Sequence, residues 1–181
     1  MPGSDRRSLA EWAVLGLLAE KPSHPFALAR QLEADGELGK VLTIRRPLVY
    51  RAVDRLCADR LTTGHRVEPG DAGPERTVFR ITESGRSVLR GWLARPVAHV
   101  RELRLGFLLR VVLLRRSGRD TSELVGLQLA ALRPVLDALL EGSDSSDPVD
   151  LWRHHNAAAA VRFLESLAGG DDRSGDRSKD S

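Results

Sequence analysis

The chain has one cysteine, Cys57, in 181 residues, so it can form no internal disulfide framework. No apolar run approaches the roughly 20 residues a helix needs to span a bilayer. The opening residues, MPGSDRRS, lack the apolar stretch of a secretion signal. Lysine is almost missing: Lys21, Lys40 and Lys179 are the exceptions in an otherwise arginine-based set of cations. There is no glycine-rich phosphate loop, nucleophile elbow, paired-carboxylate motif or internal repeat. His154 and His155 are adjacent, so they point to different helix faces and cannot act as an i, i+4 metal pair. These absences lead to the expectation of a cytoplasmic protein with no membrane partner, cofactor, metal or enzymatic activity.

What is there is an uneven distribution of charge. The net charge is only +3, but residues 1–96 carry 16 Lys and Arg against 12 Asp and Glu, and residues 97–181 carry 12 against 13. Between 40 and 60 the balance is six against two, which accounts for the whole excess of the first half. A basic excess focused on one element is the footprint of phosphate binding, although a solvated face in an arginine-rich sequence would look the same.

Along the chain, residues 1–7 are polar and expected to be disordered. Ser8 and Glu11 form a capping box for a helix at about 9–19, whose residues are apolar nearly all round and therefore need burial from several sides. Pro25 suits the first position of a second helix, about 25–34, with Phe26, Leu28 and Leu32 inward. A polar, Gly-containing connection over 35–44 leads to a third helix, about 47–60. Its Val49, Val53 and Leu56 face the core, and Leu48, Arg51, Arg55 and Ala58 lie opposite. Residues 62–67 and 77–81 read as strands around the turn-rich Glu68–Pro74, giving a hairpin with a loose polar tip. Thr82 caps a fourth helix, about 83–94, carrying Val88, Leu89, Trp92 and Leu93. Three helices, a hairpin and a helix make the winged helix-turn-helix plan, in which the third helix enters the major groove.

Pro96 marks a boundary. Beyond it three helices are expected. The first, about 99–116, carries two apolar stripes. The second, from Asp120 to about 141, has a heptad seam of Val125, Leu129, Leu132, Leu136 and Leu139, interrupted by Pro134. The third, capped by Asp147 and Pro148, runs to about Ala168, where Gly169 and Gly170 end it. The fold class is thus mainly α with a small β-hairpin wing. A winged-helix domain at 8–96 is followed by a helical domain at 97–168 and a disordered polar tail at 169–181.

The chief functional cluster is Arg45, Arg46, Arg51 and Arg55, around and along the third helix, where guanidinium groups can reach phosphates or guanine edges. Asp54 and Asp59 on the same helix repel DNA unless an arginine pairs them. The wing residues His65, Arg66, Arg76 and Thr77 can touch a flanking groove or backbone; they also suit a hairpin edge protected by charge. Tyr50 can send its hydroxyl to a phosphate, although packing in the core is the simpler role. Cys57 reads as a small buried hydrophobe. Trp12 and Trp92 suit core packing, with sandwiching of a planar ligand as the alternative.

Several segments, in order, resemble the PadR family of transcriptional regulators: SLAEWAVLGLLAEKPSHPFALARQLE, then Leu48-Val49-Tyr50-Arg51-Ala52-Val53-Asp54-Arg55-Leu56, then Arg80-Ile81-Thr82-Glu83-Ser84-Gly85-Arg86, and Leu151-Trp152 through Leu164-Glu165. The resemblance covers about residues 8–168. It departs at Pro25, Pro47, Leu48 and Arg60, where the family usually has Gly, Gly, a small hydroxyl residue and Gly. Leu48 removes a hydroxyl contact, while Arg45, Arg46 and Arg60 add charge. The resemblance implies a DNA-binding homodimeric repressor of an inverted repeat, with half-sites on the order of 34 Å apart. It also implies release by a small ligand, an aromatic effector being the candidate. The dimer surface is expected at Leu103, Phe107, Val111, Leu129, Leu132, Leu136, Val161 and Leu164. The alternative is a winged-helix module that has lost DNA binding and engages a protein.

Overall fold

The computed structural model describes residues 7–36, 38–70, 73–141 and 146–171. Seven α-helices and one hairpin are assigned among them: α1 Leu9–Glu20, α2 Pro25–Gln31, α3 Arg46–Ala58, β1 Thr62–Gly70, β2 Gly73–Ile81, α4 Glu83–Leu93, α5 Leu108–Arg116, α6 Ser122–Glu141 and α7 Pro148–Asp171. No described helix is long and apolar enough to cross a membrane. The chain clusters into two compact units, one of residues 1–94 with 108–117, the other of 95–107 with 118–181. The expected boundary at Pro96 falls beside the first division, while α5 clusters with the winged helix.

In the first unit the Ser8 hydroxyl oxygen accepts the Glu11 N–H at 3.3 Å, and its own O–H donates to the Glu11 carboxylate at 3.0 Å. The Ser8 cap starts α1, whose Trp12 to Leu18 are all buried; the reciprocal half of the expected capping box is replaced by the bond between the two side chains. Arg7, expected to be disordered, is held instead: its guanidinium pairs with Asp59 at 2.6 Å. Residues 1–6 of that expected segment lie outside the described residues. At α2, His24 Nδ1 accepts the Ala27 N–H, and the helix stops at Gln31, three residues short of expectation. Leu32 leaves helical geometry there and its carbonyl accepts the Ile44 N–H, which brings the buried Leu38 and Ile44 of the connection into the core.

The hairpin is longer than the residue types suggest. β1 and β2 have nine residues each and run antiparallel, with register shifts between Gly64 and Arg66 and between Glu68 and Gly70. Pro69 has no N–H for the ladder, and irregular pairing accommodates it, so the turn-rich sequence extends the wing rather than ending it. The very tip, residues 71–72, lies outside the described residues. Ser23 and Phe79 exchange both backbone hydrogen bonds, at 3.0 and 2.9 Å, which ties the α1–α2 turn to the wing.

α3 ends in a Schellman arrangement. The Leu61 N–H donates to the Leu56 carbonyl and the Arg60 N–H to that of Cys57, with Arg60 in the left-handed region at φ 57°. Thr82 then caps α4 by accepting the Gly85 N–H at 3.0 Å. A Cβ on Gly85 would lie 2.2 Å from the Leu61 carbonyl oxygen, so the junction needs glycine. α5 packs on α1 with Leu113 over the bare face of Gly16.

In the second unit the expected helix at 99–116 is broken. A 3-10 turn at Val100–Glu102 and a π turn at Leu103–Phe107 precede α5. The Glu102 carboxylate accepts the N–H groups of Ala98 and His99, which caps the start of the 3-10 turn. Gln128, fully buried on α6, takes the Val97 N–H at 2.7 Å and donates to the Val97 carbonyl at 3.0 Å. α6 continues through Pro134, and α7 continues through Gly169 and Gly170 to Asp171, past its expected end. The rest of the expected tail, 172–181, lies outside the described residues. α6 and α7 pack on each other, and Phe107 meets Phe163 edge to face at 6.3 Å.

Candidate nucleic-acid interface

α3 is amphipathic in the way a groove-entering helix must be. Val49, Ala52, Val53 and Leu56 are buried, whereas Arg45, Arg46, Leu48, Arg51, Arg55 and Ala58 are exposed. Leu48, at 46% exposure, is a large apolar side chain held out in water at the start of this helix. Tyr50 corrects the simpler expectation: it is 43% exposed and lines a cleft rather than the core.

The cleft, of about 480 Å³, opens between α2, α3 and the wing. Its walls include Phe26, Tyr50, Asp54, Glu75, Arg76 and Phe79. Thr77, expected on the wing, also lines it, whereas His65 lies in a second cavity with Lys21, Arg80 and Arg86, and Arg66 is exposed on β1. The expected cationic residues thus divide over two sides of the hairpin.

The arginines differ in freedom. Arg55 pairs at 3.3 Å with Glu11, a carboxylate buried in α1, although 72% of its own side chain stays exposed. Asp59, the C-cap of α3, is neutralised by Arg7. Asp54 makes no ion pair among the described residues. Arg46 lies 3.8 Å from Glu33, with its guanidinium 4.6 Å from the Phe26 ring centre. Arg45 caps α3 with backbone only.

Residues 14–91 match the family model described as the transcriptional regulator PadR-like family. Over that segment the chain is similar to PadR-like transcriptional regulators. The matched segment holds α3, the wing and most of α4, and the structure has the mainly helical, hairpin-winged plan of that family. The chain is similar to Bacillus subtilis PadR in complex with operator DNA, at 21% identity over 87% of this chain and 97% of that one, with a TM-score of 0.46. It is similar to the same protein in complex with p-coumaric acid, at 19% identity, 94% and 99% coverage and a TM-score of 0.42. A PadR family transcription regulator from hypervirulent Clostridium difficile R20291 gives 16% identity, 61% and 98% coverage and a TM-score of 0.40. No curated protein matches the chain.

Trp12 and Trp92 lie in the core, as the simpler reading has them, whereas the expected dimer residues do not face outward. Trp12 and Trp92 stack on each other with ring centres 4.6 Å apart and planes 9° apart, both buried. Rings in contact leave no slot for a planar ligand between them; the stack is core packing, continued by Arg110 over Trp92 at 4.2 Å. Of the expected dimer residues, Leu103, Phe107, Val111, Leu132, Leu136 and Leu164 are buried within the single chain, and Leu129 and Val161 partly so. The heptad seam of α6 is occupied by intramolecular packing. The large apolar side chains left exposed in the second unit are Leu127, Val135, Val149, Leu151 and Trp152, none of them anticipated. Their signal in the sequence is an apolar position outside the seam, such as Leu127 and Val135, eight residues apart on one face of α6. Cys57 is half-buried rather than the fully buried small hydrophobe expected, with Sγ 3.2 Å from the Thr62 hydroxyl.

Proposed function

We propose that this PadR-like protein represses transcription as a homodimer on an inverted repeat, with α3 in the major groove and the wing on the flanking backbone. The observation that carries the reading is the outward face of α3, where Arg45, Arg46, Leu48 and Arg51 are exposed together at the helix start while the opposite face is buried. Guanidinium groups there can grip phosphates or fork onto guanine edges, and Leu48 offers an apolar contact of the kind made with a thymine methyl. Arg55, held by Glu11, has the role of fixing α3 on α1 as much as of touching DNA.

The second copy is supported by the five large apolar side chains of α6 and α7 left in water. Trp152, 70% exposed, is the kind of aromatic anchor that interfaces bury. An aromatic effector would reach the faces of Trp12 and Trp92 only by parting rings that now touch.

The test is a gel shift with footprinting on the chain's own upstream intergenic DNA. A protected inverted repeat with half-sites on the order of 34 Å apart is expected. Arg51→Ala should weaken binding and lower the salt slope by about 0.9 for one lost phosphate contact. Trp152→Ser should shift the protein toward monomer in light scattering. A folded dimer with no shift at low salt would overturn the DNA reading in favour of a protein-binding module.

A further inference from the structure

One aromatic ring carries two cations from two different elements. Phe26, in the first turn of α2, is partly buried beside the cleft. Arg46, the first residue of α3, places its guanidinium carbon 4.6 Å from the ring centre, and Arg76, on β2 of the wing, places its own at 5.6 Å. Both distances fall inside the range of roughly 6 Å at which a cation is attracted to a ring.

We propose that Phe26 is a positioning residue for DNA binding: it holds Arg46 and Arg76 as a pre-ordered pair, so that the start of the recognition helix and the wing meet the phosphate backbone together. The role rests on the DNA-binding reading above. Stacking uses the face of a guanidinium and leaves its N–H donors, which lie in the plane, free for a phosphate. It also fixes a long side chain before binding, so less freedom is lost when the phosphate arrives.

The surroundings make such restraint necessary. Asp54 and Glu75 line the same cleft, and Glu33 stands 3.8 Å from Arg46. Asp54 and Glu75 make no ion pair with Arg46 or Arg76 among the described residues, although loosened arginines would fold onto them. The ring holds both cations away from Asp54 and Glu75, while Arg46 keeps only its long, exposed contact with Glu33.

The test uses the full chain and a 40-base-pair duplex cut from its own upstream intergenic DNA, with affinity measured by fluorescence anisotropy across a salt series. Phe26→Leu keeps the volume and removes the ring; a thermal melt and circular dichroism verify that it folds. It should weaken binding about tenfold and lower the salt slope by up to about 1.8, the loss of two phosphate contacts. Phe26→Tyr, which keeps a ring, should stay within about threefold of the parent. In an Arg46→Ala/Arg76→Ala background Phe26→Leu should cost nothing further, a result that a merely structural role would not give. Wild-type binding with Phe26→Leu indistinguishable from it, or a full further loss in the double-alanine background, would overturn the role of Phe26 alone. Failure of the wild type to bind would overturn the DNA reading and this role with it.

Discussion

Gln128 offers a test of how the second unit holds the segment that follows the winged helix. Its side-chain amide is fully buried and spans both backbone groups of Val97, accepting the N–H at 2.7 Å and donating to the carbonyl at 3.0 Å. Gln128→Leu leaves those two groups without partners. Each buried, unsatisfied group costs about 1–3 kcal/mol, so the variant should lose about 2–5 kcal/mol after the small gain from an apolar side chain. Gln128→Glu is more discriminating. A protonated carboxyl can accept one bond and donate the other, as the amide does; an ionised one cannot donate. Burial favours the neutral form, so the introduced carboxyl has a folded pKa above its unfolded value of about 4.3. A raised pKa means the stability is fully present below about 4.3 and is lost as pH rises toward the folded value, at about 1.4 kcal/mol per pH unit. A carboxyl pushed up to about 7.3 in the folded protein would lose about 4 kcal/mol by neutral pH. Urea unfolding followed by circular dichroism at about pH 4.5 and 7.5, each variant against wild type, reads this out. A Gln128→Leu variant as stable as wild type, or a Gln128→Glu loss equal at both pH values, would refute the reasoning.

Other outcomes follow from the first unit and the start of α6. Arg60 sits at φ 57°, where an L side chain costs about 1–2 kcal/mol, so Arg60→Gly should raise stability by about 0.5–1 kcal/mol net of glycine's unfolded-state entropy, seen as a melting point several degrees higher. Gly85→Ala forces a Cβ toward the Leu61 carbonyl and should destabilise by about 1–3 kcal/mol despite alanine's better helix propensity; a melting point at or above wild type would contradict the clash. The Asp120 carboxyl is held below its ordinary 3.8 chiefly by the backbone N–H of Ser122, then by the Ser122 hydroxyl. A lowered pKa means its contribution is present above 3.8 and is lost as pH falls through the folded value, so Asp120→Ala should melt lower than wild type at neutral pH, with the gap closing in acid.

Much of the first unit is legible in the sequence because local chemistry decides it. Ser8 and Thr82 each accept an amide of the first turn they cap, and Pro25 opens α2, as the sequence predicts. The wing's length is not legible, since Pro69 and the glycines around it favour turns locally while pairing across the hairpin overrides them. Nor is the break before α5, where apolar periodicity runs on through a 3-10 and a π turn. For the interface, the buried face of α3 follows from periodicity, but side-chain pairing does not: nothing in the spacing says that Arg55 reaches Glu11 or that Arg46 and Arg76 share Phe26. The heptad seam of α6 marks an apolar surface correctly without saying which helix covers it; α7 does, leaving Leu127 and Trp152 in water.

The placement of the three tryptophans gives the protein two separate optical signals. Trp12 and Trp92, stacked 4.6 Å apart and buried, sit in a fixed asymmetric setting of the kind that gives near-ultraviolet circular dichroism. Trp152, 70% exposed in the single chain, would emit as a red-shifted indole wherever no second copy covers it. The near-ultraviolet dichroism therefore reports chiefly on the first unit and the exposed indole's emission on the second. If the proposed dimer buries Trp152, dilution should move the emission while leaving the dichroism unchanged, without any added label.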